Sequence, residues 1–192
     1  MLFRSILIGC STGGPVALRE VIPQLPADLP LPVLVVQHMP AHYTNSLAER
    51  LNETSKLRVL EAADGMLVEP GRVLIAPGGR HMKVVLKAGR PTIAITDDPL
   101  EHGCRPAVDY LLRSALDAFN GKVIATILTG MGKDGLEGCR ALKQSGAFVI
   151  AQHADGCVVY GMPKAIVDDN LADRVTKLDR IAFTITRMAK RR

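Results

Sequence analysis

The first fifteen residues constrain this chain more than any other stretch. An apolar run, Leu2-Phe3-Arg4-Ser5-Ile6-Leu7-Ile8, leads into Gly9-Cys10-Ser11-Thr12-Gly13-Gly14-Pro15, and a helical pattern follows from Val16 to Ile22. Strand, tight glycine turn and helix in that order open an α/β unit, and Gly9-x-Ser11-x-Gly13 matches the nucleophile-elbow pattern. The glycines let the backbone turn sharply enough to present a small hydroxyl at the strand tip. The helix start, with Pro15 in its first turn, aims unpaired N–H groups at the same spot. Two chemistries fit this stretch equally well: a serine that attacks a carbonyl and has the oxyanion caught nearby, or a loop that cradles a phosphate.

Two further sites separate them. Val33-Leu34-Val35-Val36-Gln37-His38 is a short β-branched strand ending on a histidine, followed by Met39-Pro40. Val123-Ile124-Ala125-Thr126-Ile127-Leu128 runs into Thr129-Gly130-Met131-Gly132-Lys133-Asp134-Gly135, a second glycine loop, now carrying an aspartate. A helical pattern follows each strand, which predicts a parallel sheet. Ligands of open parallel sheets bind at the carboxyl ends of the strands, near a topological switch point. Ser11, His38 and Asp134 are therefore expected along one edge: a hydroxyl, an imidazole to take and return its proton, and a carboxylate to fix the imidazole tautomer. No one of these motifs is strong; the three together are. A nucleotide- or phosphate-binding domain built on Ser11–Gly14 is the alternative, but the chain has no GxGxxG or GxxxxGK[ST] match and that reading leaves His38 and Asp134 idle. An inactive adaptor would have no use for an intact triad.

At these residues the chain resembles the catalytic domain of the chemotaxis receptor methylesterases (protein-glutamate methylesterases). The resemblance runs through Ile8–Pro15, Gln37–Pro40, Glu61–Gly65, Ile75–Met82, Arg105–Asp109, Leu128–Gly135, Ala151–Gln152 and Val158–Pro163, in family order and over nearly the whole chain. It implies Ser11 as nucleophile, His38 as general base, Asp134 as its orienting partner, and the backbone N–H groups of Thr12 and Met131 as oxyanion donors. It also implies hydrolysis of glutamate γ-methyl esters on the cytoplasmic helices of methyl-accepting chemoreceptors, with methanol released and no cofactor. Some relatives deamidate glutamine by the same acyl-transfer logic. The family usually has alanine where Cys10 stands, a change between small residues. It usually also carries an N-terminal phospho-acceptor receiver domain. Residues 1–192 read as a single catalytic domain without one, either a stand-alone form or a domain cut from a longer protein.

Composition fits one α/β domain. At 192 residues and 47% apolar content the chain has enough to cover both faces of a sheet. No apolar run approaches the roughly 20 residues of a membrane helix, and Leu2–Ile8 lacks the pattern of a secretory signal. Cys10, Cys104, Cys139 and Cys157 show no paired spacing and read as reduced thiols in a cytoplasmic protein. The net charge of +5 is spread along the chain apart from the tail Lys190-Arg191-Arg192, without basic–aromatic interleaving, so nucleic-acid binding is not expected.

The predicted architecture is a doubly wound, mostly parallel sheet with helices on both faces and an antiparallel hairpin edge. Helices are expected over Ala41–Asn52, over Val108–Phe119, from the aspartate loop to Ser145, and from about Leu178; strands over Arg58–Ala62 and Ala147–Ala151. Arg72–Ala76, Met82–Leu86 and Thr92–Thr96 are too closely spaced for crossover helices and are expected as antiparallel hairpins at one sheet edge. His38 and His42 have i, i+4 spacing, but Pro40 lies between them and no HExxH glutamate is present, so no metal site is predicted. His81, His102 and His153 read as surface or hydrogen-bonded loop histidines, with a supporting role near the cleft open for His81. Asp97-Asp98 and Asp168-Asp169 read as solvated turns.

Overall fold

A computed structural model describes residues 2–191; of the basic tail, Arg192 lies outside them. The chain runs β1 (Ser5–Cys10), α1 (Gly14–Val21), a 3-10 turn (Ile22–Gln24), β2 (Val33–Gln37), α2 (Ala41–Thr54), β3 (Arg58–Glu61), β4 (Arg72–Ile75), β5 (His81–Lys87) and β6 (Arg90–Thr96). It continues with α3 (Val108–Phe119), β7 (Val123–Ile127), α4 (Leu136–Gln144), β8 (Phe148–Gln152), α5 (Met162–Asp168), β9 (Arg174–Thr176) and α6 (Leu178–Ala189).

Seven strands form one sheet in the order β3-β4-β2-β1-β7-β8-β9, and every pairing in it is parallel. Strands β1, β2 and β7 are buried along their whole length, as their unbroken apolar runs require when both faces are covered. Side chains alternate between the faces. Ile6 and Ile8 join a core formed with α1, α2 and α6, while Leu7 joins one formed with α3, α4 and α5. The doubly wound α/β class is as the sequence predicts. From β1 the chain moves to β2 on one side, and β7 later pairs on the other. The switch point therefore falls at the carboxyl ends of β1 and β7.

The antiparallel hairpin is present but forms its own two-stranded sheet, β5 with β6. It covers the core beside α3 through Met82, Val84 and Ile93. Arg72–Ile75 is not part of it. This segment lies inside the main sheet, parallel to both β2 and β3. The loop between β3 and β4 reverses direction without a helix because it is held by the hairpin: Gly65 and Val68 N–H donate to Ile93 and Pro91 carbonyls, and Ile93 N–H returns a bond to Met66. Strand β9 carries no strand signal in the sequence. Its three residues gain their place only by pairing with β8.

Candidate active site

The site is built at the switch point by three loops. The first follows β1. Gly13 adopts φ 82°, a left-handed conformation that glycine takes without strain, and it caps the start of α1. Buried Gln37, at the end of β2, braces this turn from below. Its amide Nε2 donates to the Ser11 carbonyl at 3.0 Å and the His38 carbonyl at 2.9 Å, while its Oε1 accepts from the Cys10 thiol at 3.1 Å. Cys10 is fully buried and its thiol is pushed far up by desolvation, so it is an inert packing residue.

The second loop follows β7. Ser11 N–H donates to the Thr129 carbonyl at 3.0 Å, and the Thr129 hydroxyl donates to the Thr12 carbonyl at 2.9 Å, which ties the two loops together. Gly130 lies so close to Ser11 that an added Cβ would fall 2.8 Å from the Ser11 Cβ and 2.3 Å from Met162 Sδ. That close approach accounts for the glycine. Among the described residues, the N–H groups of Thr12 and Met131 have no acceptor within the protein. Both residues line the same cleft of about 360 Å³ as Ser11, His38, His102, Cys104 and Asp134.

His38 and Asp134 meet directly: Nε2 lies 2.7 Å from Asp134 Oδ2. A carboxylate only accepts, so Nε2 carries the proton and Nδ1 is left with a free lone pair in the neutral ring. Asp134 is 3% exposed and His38 12%. Burial pushes the Asp134 carboxyl up. Hydrogen bonds from His38 and from the Asp109 and Val108 amides outweigh this and hold it below the ordinary carboxylate range. The two amides, at 2.8 and 2.7 Å, belong to the first turn of α3, so Asp134 also caps that helix from another loop. No Ser11–His38 hydrogen bond is formed in this structure; catalytic contacts often tighten only when substrate binds.

The third loop precedes α3; the sequence marks its end, Arg105–Asp109, only as part of the family resemblance and assigns no site role to Cys104 or His102. This loop brings Cys104 Sγ to 3.6 Å from His38 Nδ1 and His102 Nε2 to 2.9 Å from Asp109 Oδ2. Asp109 is fully buried; desolvation raises its carboxyl and the nearby Asp134 charge adds to this, against hydrogen bonds from Gly138 and His102. Glu101, His102 and Asp109 form a group with metal-ligand types in reach of one another. However, both oxygens of Glu101 are engaged by Arg113, which already supplies the positive charge. His81 is neither at the surface nor in the cleft lining. It is buried in β5, stacked on Tyr110, with Nε2 on the Pro99 carbonyl. His42 faces a separate groove between α1 and α2, lined by Arg19, Tyr43 and Arg50. Asp97, Asp168 and Asp169 pair with Arg80, Lys164 and Arg140. A phosphate cradle at Ser11–Gly14 gains no support, because the Ser11 and Gly14 amides are spent on internal carbonyls.

Comparison with known proteins follows the same lines. The family model described as CheB methylesterase matches residues 6–185. A protein-glutamate methylesterase/protein-glutamine glutaminase of Desulfotalea psychrophila is 48% identical over 187 residues, covering 96% of this chain and 51% of that protein. Its counterpart in Pseudomonas aeruginosa is 50% identical over 179 residues, covering 93% and 48%. The chain thus spans about half the length of the curated relatives it matches. The crystal structure of the Thermotoga maritima CheB methylesterase catalytic domain superposes with a TM-score of 0.94 at 42% identity, over 98% of this chain and all of that one.

Proposed function

The chain belongs to the CheB methylesterase family, and we propose that its Ser11, His38 and Asp134 hydrolyse glutamate γ-methyl esters on protein substrates, and glutamine side chains by the same route. The observation that carries this reading is the His38 ring: Asp134 holds Nε2, leaving Nδ1 as the base in the cleft that Ser11 lines.

Ser11 Oγ attacks the ester carbonyl carbon as its proton passes to His38 Nδ1. The new oxyanion is held by the Thr12 and Met131 amides, free donors already in place, so little reorganisation is needed as charge develops. His38 then gives its proton to the departing methoxide, and methanol leaves behind a glutamyl ester on Ser11. Water adds with His38 again as base, releasing glutamate and restoring the serine. With glutamine the leaving group is ammonia. Asp134 stabilises the transient imidazolium and stays ionised throughout.

A cleft open to solvent suits a side chain presented on another protein. The substrates in this reading are the cytoplasmic helices of methyl-accepting chemoreceptors, and these 192 residues form the catalytic unit, working in the cytoplasm. No described helix is long and apolar enough to cross a membrane. A fluorophosphonate probe tests the chemistry. A single adduct on Ser11 that blocks methanol release from methylated receptor is expected; full activity after complete labelling elsewhere would overturn the assignment.

A further inference from the structure

We propose that Cys104 is a positioning residue for His38: its thiol hydrogen-bonds Nδ1 in the resting state and competes with the Ser11 hydroxyl for that lone pair. The inference rests on the reading of His38 as the base.

The argument is geometric. Asp134 occupies Nε2, so Nδ1 is the one ring nitrogen able to accept the Ser11 proton. In this structure its neighbour is Cys104 Sγ at 3.6 Å, within reach for a sulfur hydrogen bond, and Ser11 is not bonded to it. Cys104 is half-buried at the junction of two stretches of the open cleft, both of which His38 also lines. Cys104, His38 and Asp134 are thus in line as a thiol, an imidazole and a carboxylate, the arrangement of a cysteine nucleophile.

The electrostatics argue against that use. Desolvation pushes the Cys104 thiol up, and the Asp134 charge pushes it further. The sulfur therefore stays protonated at neutral pH and acts as a donor, while a thiolate would be needed for attack. The other charged or titratable groups lining the space around His38 are His102, Lys133, Arg105 and Asp134. Among these only Asp134 bonds the ring.

A donor on Nδ1 has to yield before Ser11 can hand over its proton, which slows turnover.

The test follows hydrolysis of a small activated ester from about pH 5 to 9 in wild type, Cys104→Ala, Cys104→Ser and Ser11→Ala, together with the ring ¹⁵N resonances of His38. For Cys104→Ala, the alkaline plateau of kcat rises about two- to threefold, the scale of one weak hydrogen bond. Cys104→Ser, with a donor on a shorter arm, falls between the two. The Nδ1 resonance shifts in Cys104→Ala while the Nε2–H resonance stays. A Cys104→Ala profile that superimposes on wild type, or an unchanged Nδ1 resonance, overturns the inference even with Ser11→Ala inactive. An active Ser11→Ala enzyme would remove the reading beneath it as well.

Discussion

Asp134 Oδ2 accepts two hydrogen bonds at 2.7 Å, one from His38 Nε2 and one from the Val108 amide. The carboxylate that orients the proposed base is therefore also the anion that closes the N-terminus of α3. Its other oxygen takes the Asp109 amide at 2.8 Å. The proposed reaction centre and the start of a core helix share one charge, so perturbing one perturbs the other.

Asp134→Asn should consequently do two things. An amide offers one acceptor oxygen where the carboxylate offered two, and its NH₂ group must face a donor. Turnover is expected to fall by roughly 10⁴ through loss of the productive tautomer. Stability should also fall by about 1–3 kcal/mol through unpaired amides at the helix start. The wild-type carboxyl is held below its ordinary range in the folded state, so its contribution is fully present above about pH 4. That contribution is lost as pH falls through the folded-state value. Thermal melts between about pH 2 and 7 should show the two proteins converging at the acid end; a constant gap would contradict this assignment.

Asp109 behaves in the opposite sense. Its carboxyl is raised by burial and by Asp134, so its ionised form costs stability as pH climbs through the folded-state value. His102, 2.9 Å away, offsets that cost. His102→Ala should destabilise the domain by about 1–3 kcal/mol near neutrality, with the deficit growing as pH rises and Asp109 ionises without its donor. A deficit that does not vary with pH on the acid side would show that His102 contributes only packing.

The proposed triad positions were readable in the sequence because Ser11 and His38 directly follow β1 and β2 and Asp134 closes the glycine loop after β7, where motif and strand signal coincide. Thr12 and Met131 came with the family resemblance; among the described residues their amides have no acceptor within the protein. Two kinds of feature were not legible. Cys104, His102 and Asp109 meet the site through tertiary placement of the loop before α3 and the start of that helix, and no local pattern announces contacts spanning 66 residues, as from Cys104 to His38. Arg72–Ile75 was misplaced because short spacing normally means antiparallel pairing. Here the β3–β4 loop is braced by the hairpin and a parallel crossover of unusual brevity results. His81 was read as a surface or loop residue because nothing local reveals that a histidine will stack beneath Tyr110.

Ser11→Ala should leave the fold intact, since the Ser11 side chain makes no hydrogen bond among the described residues while its backbone is fixed by Thr129 and Gln37. Turnover should drop by about 10⁶, leaving the contribution of binding and the amide pair. Circular dichroism and methanol release check the two halves. Cys10 is next in sequence but is walled off inside the core, so a folded Ser11→Ala protein with substantial activity would have to be explained elsewhere.

Gly130→Ala separates placement of the nucleophile from its chemistry. The substitution adds one methyl group, leaves all three triad side chains in the protein, and directs that methyl at Ser11 Cβ and Met162 Sδ. The sulfur lies on a flexible side chain and can give way, whereas Ser11 is tied through its N–H to Thr129 and through its carbonyl to Gln37. The methyl should therefore move the two loops apart at the point where Oγ must meet both the base and the oxyanion amides. A displacement near 1 Å costs about 10² in rate, and crowding costs about 1–3 kcal/mol in stability. The loss should lie mainly in kcat, because the crowding falls on the Ser11 turn and leaves the rest of the cleft lining unchanged. Fluorophosphonate labelling should slow by a similar factor. Wild-type kcat in a folded Gly130→Ala protein would mean that the spacing between these loops does not position the nucleophile.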